Sequence, residues 1–275
     1  MLRFILRTIC SWSGGKDSTA TIILAHIHNI PIDLIIFSEV MFDLKNGISG
    51  ENPEHIRFMR EVAIPKFREW GYEVVEVRAE KDYLDHFYSV IENPRKNMEH
   101  KGMRRGFPLP QCAIRRDLKQ RPVEQYIKSL GTDVVQLLGM CIDEPKRLES
   151  MHKEGNKRSL LEEYNYTEEK AKELCMEYGL YSPGYELSKR GGCWMCPFAK
   201  VEEHRAIRKL NRKAWDRFVA LEDEPNVAHS VWNIYGESLK KREELFRLED
   251  EMNSAKSSVF SIAGTRQKAA VKTAS

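Results

Sequence analysis

Ser11-Trp12-Ser13-Gly14-Gly15-Lys16-Asp17-Ser18-Thr19 is the stretch on which the fold turns. An apolar, β-prone run, Phe4 to Cys10, comes before it, and a helix-prone run, Thr19 to His28, follows it. Strand, glycine turn, helix is the layout that presents free backbone N–H groups and a positive dipole end to an anion. Gly14 and Gly15 admit positive φ and close approach of the backbone to a ligand. Ser13, Ser18 and Thr19 add hydroxyls and Lys16 adds a charge. The spacing between first glycine and Gly-Lys pair that defines the Walker loop is missing.

Working outward, Thr19 to Asn29 is rich in Ile, Leu and Ala on more than one side, as in a helix packed into a sheet. Ile32 to Phe37 reads as a second buried strand, apolar enough for a parallel sheet covered on both faces. Ser38 and Glu39 follow at its carboxyl edge, where ligands of open α/β sheets bind, and are candidate contacts to a nucleoside. Asp43 to Gly50 reads as a loop. Asn52-Pro53-Glu54 starts a helix that Pro65 should kink and Gly71 stop. Tyr72 to Val77 and Val134 to Leu138 read as further strands. The expected fold is α/β: a doubly wound, mostly parallel sheet with helices on both faces, plus a helical C-terminal region. The expected divisions are a nucleotide-binding domain over 1–155, a cysteine-containing extension over 156–200 packing on the active site, a helical region over 201–256 and a flexible tail over 257–275. Leu160 to Tyr178 is expected to hold a helix, Gly179 to Glu186 a turn-rich link, and Val201 to Leu221 an amphipathic helix.

The chain has 275 residues, 41% hydrophobic and 31% charged, enough to bury a sizeable core. No apolar run approaches the length that spans a bilayer, so no membrane partner is expected and the protein reads as cytoplasmic. Six cysteines suggest a metal site or thiol chemistry in a reducing compartment. The net charge of +3 is too small to argue for nucleic acid by itself, but it is uneven. Arg95, Lys96, Lys101, Arg104, Arg105, Arg115, Arg116, Lys119 and Arg121 stand against only Glu99 and Asp117 between 95 and 121. Such a patch attracts phosphates. Asn93 to Pro110 within it is expected to be a mobile loop over the active site.

The first loop resembles the Ser-Gly-Gly-x-Asp-Ser pyrophosphate loop of N-type ATP pyrophosphatases and their sulfonucleotide-reductase relatives. With Cys112 to Lys119 and Gly139 to Arg147 added, the chain resembles the phosphoadenosine-phosphosulfate reductase family in its broad sense, over about residues 4 to 200. The resemblance implies an adenine-nucleotide site of Ser11, Ser13, Gly14, Gly15, Lys16, Asp17, Ser18, Thr19, Ser38, Glu39 and Gly139, binding ATP or a sulfonucleotide with Mg²⁺. Asp17, Lys16, Cys112 and Cys141 are the implied catalytic groups. Arg115, Arg116, Lys119, Lys146 and Arg147 would neutralise charge developing on pyrophosphate or substrate. There are two departures. Cys141 stands where the family often has an arginine, and no cysteine follows Cys196, so the C-terminal nucleophile of true reductases is missing.

Cys193 and Cys196, in a turn between Gly192 and Pro197, aim two thiols at one point, as zinc, iron–sulfur and redox sites all require. Cys112 begins a helix in a basic setting, where its pKa should fall. Cys112, Cys193 and Cys196 could hold a four-iron cluster with one open iron, and Cys175 could close the set to four for zinc or a complete cluster. Spacing does not choose among iron–sulfur, zinc and no metal. Cys10 reads as a small buried apolar residue, and Cys141 as either that or a sulfur carrier.

These readings converge on activation of an acceptor by adenylation followed by sulfur transfer. The acceptor could be a nucleic acid, and the sulfur source a donor such as a cysteine desulfurase, or a thiol reductant. A homo-oligomer is left open. The alternatives are a sulfonucleotide reductase and a non-catalytic nucleotide-binding protein with a structural zinc.

Overall fold

The computed structural model describes residues 6–109, 112–187 and 192–254. The expectations placed on Arg190, Gly191 and the tail over 257–275 lie outside the described residues.

In chain order the elements are β1 (Arg7–Trp12), α1 (Lys16–Ile27), β2 (Leu34–Glu39), β3 (Met41–Asp43), β4 (Ile48–Ser49), α2 (Pro53–Phe58), α3 (Ile64–Glu69), β5 (Val74–Arg78), α4 (Tyr83–Tyr88) and β6 (Arg104–Gly106). They continue with α5 (Arg121–Ser129), β7 (Val134–Leu137), α6 (Pro145–His152), β8 (Lys157–Arg158), α7 (Leu160–Glu163), α8 (Glu168–Glu177), α9 (Gly184–Leu187), α10 (Val201–Leu210), α11 (Arg212–Ala220) and β9 (Val227–His229). Residues 239–254 are also helical.

The main sheet has the order β5-β2-β1-β7-β8, and every pairing in it is parallel. The chain leaves β1 toward β2 and β5 on one side and returns to β7 on the other. This makes the carboxyl end of β1 a topological switch point, where open α/β sheets bind ligands. Alternation along each strand supplies the two faces. Ile9, Leu34, Ile36 and Val134 point to one side, where Val123, Tyr126 and Ile127 of α5 cover them. Cys10, Trp12, Ile35, Phe37 and Leu137 point to the other, under α1, α3 and α8. Residues 18–25 of α1 are all buried, because α7 and α8 cover the side that the sheet does not.

Two prolines shape their helices in the same way. Pro65 and Pro122 have no N–H to give the carbonyl four residues back. Each is preceded by a π-helical turn, Met59–Ala63 and Arg115–Gln120, in which the bonds reach one residue further. The expected kink at Pro65 is therefore a widened turn within a continuous helical run from Pro53 to Glu69.

A second core lies beside the sheet. It gathers Phe42, Tyr83, Phe87, Phe107, Trp194, Trp215, Phe218, Trp232 and Phe246, so its contributors interleave in sequence with those of the sheet. Several local expectations are corrected here. Asp43 to Gly50 belongs to the β3–β4 hairpin, not a plain loop. Asn165, at φ 58, breaks the expected Leu160–Tyr178 helix into α7 and α8. Asn211 likewise ends α10 and caps α11 by accepting from the Ala214 N–H at 3.1 Å. The basic segment after α4 is not a free loop. Within it β6 pairs with β9, and Ile91 and Gly102 exchange backbone bonds with Met103 and Ile91.

Candidate functional site

Gly14 lies at φ 77, and a Cβ there would sit 2.4 Å from Met59 Sδ and 2.6 Å from His55 Nε2. Only glycine fits that turn. Gly15, expected to need positive φ as well, is instead extended at φ −72 and serves as the N-cap of α1. The loop is braced from within. Ser18 Oγ accepts from the Ser13 N–H at 3.2 Å and donates to Gly15 O at 3.0 Å, while Ser13 Oγ accepts from the Gly15 N–H at 3.3 Å. Thr19 Oγ1 accepts from Trp12 Nε1 at 2.9 Å inside the core, so its hydroxyl is structural.

The end of β7 closes against this turn. A Cβ on Gly139 would meet Ser18 N at 2.5 Å and the Asp17 carbonyl carbon at 2.6 Å. The two backbones touch across the switch point, and a cavity of about 460 Å³ opens beside them. Ser13, Gly15, Lys16, Asp17, Gly139 and Arg147 line it, together with Glu144, Glu168 and Tyr185. A second cavity, of about 670 Å³, lies over the ends of β1 and β2 and shares Ser11, Ser13 and Arg147 with the first. Ser38, Arg115, Lys119 and Gln136 stand on its wall. Ser38 Oγ is buried there without a hydrogen-bond partner. Ser11 Oγ accepts from Gln136 Nε2 at 2.5 Å.

Lys16 Nζ donates to Asp17 Oδ1 at 2.7 Å and to Glu168 Oε2 at 2.8 Å. Burial pulls the ammonium down, but these hydrogen bonds outweigh it and hold Lys16 above the usual lysine range. Burial raises the Asp17 carboxyl, and Lys16 offsets only part of that. Cys141 is buried with Sγ 3.5 Å from Asp17 Oδ1. Burial, and then the neighbouring carboxylate, push its thiol up, which keeps it protonated and unsuited to carry sulfur as a thiolate. Glu39 lies on neither cavity wall, because Arg60 and Arg78 hold its buried carboxylate. Lys146 also lies on neither wall, whereas Arg147 borders both and pairs with Glu144. Arg116 turns the other way and pairs with Asp117 at 2.7 Å.

Cys112, Cys193 and Cys196 all pack against the second, aromatic core. Cys175 does not join them. It sits in the sheet's own core with Sγ donating to Lys16 O at 3.2 Å, and burial pushes it up to about 12. The physical reason is the face of α8, which turns this residue toward α1. Burial also pushes up Cys112 and Cys193, so the expected fall for Cys112 is reversed in the metal-free chain. Tyr83, 1% exposed, carries a hydroxyl without a hydrogen-bond partner, close enough to all three of these thiols for their charges to act on it.

Among the described residues, no group of three or more His, Cys, Asp or Glu side chains is set to hold a single metal ion. A closed four-ligand zinc site is therefore not formed by these residues. Three thiols spread around one apolar pocket, with an orphaned hydroxyl beside them, fit a multi-iron cluster better, since a cluster separates its thiolates more widely than one ion does.

Residues absent from the sequence reading join the two features. Glu51 is buried, bridges the Cys193 backbone and accepts from Lys119 Nζ at 3.1 Å. Burial pulls Lys119 down, but the Glu51 carboxylate outweighs it. His55 shares Ser182 Oγ at 2.7 Å and bonds the Ser13 backbone, and burial lowers its pKa. Lys119 thus stands between the nucleotide-side cavity and the thiols. Tyr185 is the other addition: its hydroxyl accepts from the Lys16 N–H at 2.9 Å, at the mouth of α1. Nothing local in the sequence signals it, since it lies 169 residues downstream of Lys16.

No family model matches this chain, and no curated protein matches it. Among solved structures, the U34-tRNA thiolase NcsA from Methanococcus maripaludis, with its 4Fe-4S cluster, is similar over 80% of this chain and 70% of its own. The identity is 15% and the TM-score 0.39, a likeness too slight to assign anything to this chain. No helix among the described residues is long and apolar enough to cross a membrane.

Proposed function

We propose that this chain is an adenylating enzyme of sulfur transfer, built as the phosphoadenosine-phosphosulfate reductase family is in its broad sense. The carrying observation is the backbone contact between Gly139 and the Asp17–Ser18 turn, which puts a cavity in front of the α1 N-terminus at the switch point. The first amides of a helix lack intrahelical partners and suit anionic oxygens. In this reading the loop and Lys16 hold the pyrophosphate part of ATP. Asp17 orients Lys16 and a Mg²⁺ ion, and the second cavity takes the nucleoside, with the Ser38 hydroxyl as a donor awaiting a partner.

An acceptor oxygen attacks the α-phosphorus, the bond to the β-phosphate oxygen breaks, and pyrophosphate leaves. Arg147, Arg115 and Lys119 stand where they would stabilise the departing charge. Sulfide-level sulfur from a donor then bonds to the activated acceptor atom, and AMP leaves with the oxygen. Cys112, Cys193 and Cys196 would hold an iron–sulfur cluster, which supplies an open iron for sulfur when bound. Lys119 and Glu51 fix the position of those thiols relative to the nucleotide cavity.

The test is exchange of labelled pyrophosphate into ATP. Asp17→Asn and Lys16→Ala are each expected to lower it about 100-fold or more with circular dichroism unchanged. Exchange at the wild-type rate in both variants would overturn the assignment.

A further inference from the structure

A third cavity, of about 550 Å³, lies away from the nucleotide mouth. Arg95, Lys96, His100, Arg105, Arg116 and His229 stand on its wall, and Glu92 lies at the same wall. We propose that this groove seats the sugar–phosphate backbone of a single nucleic-acid strand, the acceptor in the function proposed above.

The groove is built into the fold. β6 pairs with β9 in parallel register, Arg104 with Val227 and Gly106 with His229, and Val90 bridges Arg104 from the other side. Gly106 lies at φ 76, and a Cβ there would meet His229 O at 2.2 Å, so the two strands press together under the groove. The cations are thus carried on a three-stranded ribbon and do not swing freely.

Charge is the second observation. Elsewhere, the exposed arginines are answered by carboxylates, as Arg205 is by Glu249 and Arg212 by Asp216 and Glu243. Arg95, Lys96 and Arg105 make no ion pair among the described residues. Neighbouring unpaired cations repel one another, and a polyanion relieves that repulsion while releasing its own counterions. The cations lie along an open groove and do not converge on one point. That suits a chain of phosphates, not a single small anion. His100 and His229 meet edge to face at 5.7 Å and offer flat rings to bases, which acidic peptides lack.

Position is the third. Arg116 on this wall belongs to the same π-helical turn as Arg115 and Lys119 on the nucleotide-side wall, and Cys112 lies just before that turn. A strand seated in the groove therefore runs toward the thiols and the adenylating cavity.

The experiment is fluorescence anisotropy of the full chain with a mixed-sequence RNA oligonucleotide and the DNA of the same sequence, over a salt series. The triple variant Arg95→Glu, Lys96→Glu, Arg105→Glu is expected to weaken Kd at least about tenfold. It should also flatten the slope of log K against log salt by about 2, three lost contacts on a single strand. Arg95→Lys with Arg105→Lys should keep most of the binding, which separates lost charge from lost fold. Binding of either strand supports the proposal, and the tighter one names the acceptor. Unchanged affinity and slope in the triple variant, or equal competition by polyglutamate, would overturn it. Pyrophosphate exchange without acceptor should be unchanged in the triple variant. Lost exchange in Lys16→Ala with strand binding kept would sink the adenylation reading alone.

Discussion

Tyr83 is a buried phenol whose hydroxyl finds no partner, between Phe42 and Phe218 and beside three thiols. An unsatisfied buried hydroxyl costs about 1–3 kcal/mol, so in metal-free protein Tyr83→Phe should gain about 1 kcal/mol of unfolding free energy by urea titration. A loss of stability would show that the hydroxyl has a partner there. If iron and sulfide fill the thiol pocket, the phenol becomes a hydrogen-bond donor to sulfur, and the same variant should lower the reduction potential. Single residues were unevenly legible in the sequence. Gly14 was, because only a positive-φ residue pressed against Met59 and His55 makes this turn. Cys112, Cys193 and Cys196 were, as thiols in a basic and turn-rich setting. Cys175 was not, since only the packing of α8 on α1 decides where that thiol points. The Ser38 hydroxyl was placed by its strand edge, while the Glu39 carboxylate was not, because Arg60 and Arg78 reach it from other elements.

The short helix α9 brings Tyr185 to the α1 N-terminus, where its hydroxyl accepts a backbone N–H that an anionic ligand would use. Tyr181 stacks on the ring at 5.0 Å and holds it there. Nucleotide binding must displace this hydroxyl or share the amide with it. Tyr185→Phe should therefore tighten ATP by about 0.5–1.5 kcal/mol, roughly two- to twelvefold in Kd by calorimetry. Weaker binding would make the phenol a ligand to the nucleotide instead of a competitor for the amide. Elements were readable in proportion to how local their causes are. The order of strand, glycine turn and helix marked β1, α1 and β2, and apolar runs marked β5 and β7. The β3–β4 hairpin had a signal that went unused, Asn46-Gly47 with Gly47 at φ 66. The two-residue β8 and the pairing of β6 with β9 have no such signature, because each exists only when a distant segment lies beside it.

The two cores meet the solvent differently, and acid should find the aromatic one first. His86, on α4 beside that core, is held uncharged by burial, and then by Arg105, with Arg116 and His229 adding to the effect and Asp117 opposing it. Its pKa falls from an ordinary 6.5 to about 4. The unfolded chain therefore takes up a proton at this ring before the folded one does. Stability tied to His86 is complete above pH 6.5 and is lost as the pH falls through that value toward 4, with no further loss below both. The loss is about 2–3 kcal/mol for this one ring. Urea unfolding of the wild type and of His86→Gln between neutral pH and pH 4.5 isolates it. The variant pays a constant packing cost, and its deficit should shrink as the pH falls, because Gln takes up no proton. Parallel curves would mean that His86 titrates normally in the folded protein. RNA added at pH 5 should recover part of the wild-type loss, because phosphates beside Arg105 and Arg116 lessen the repulsion that keeps His86 neutral. No recovery at saturating RNA would place the strand away from this face.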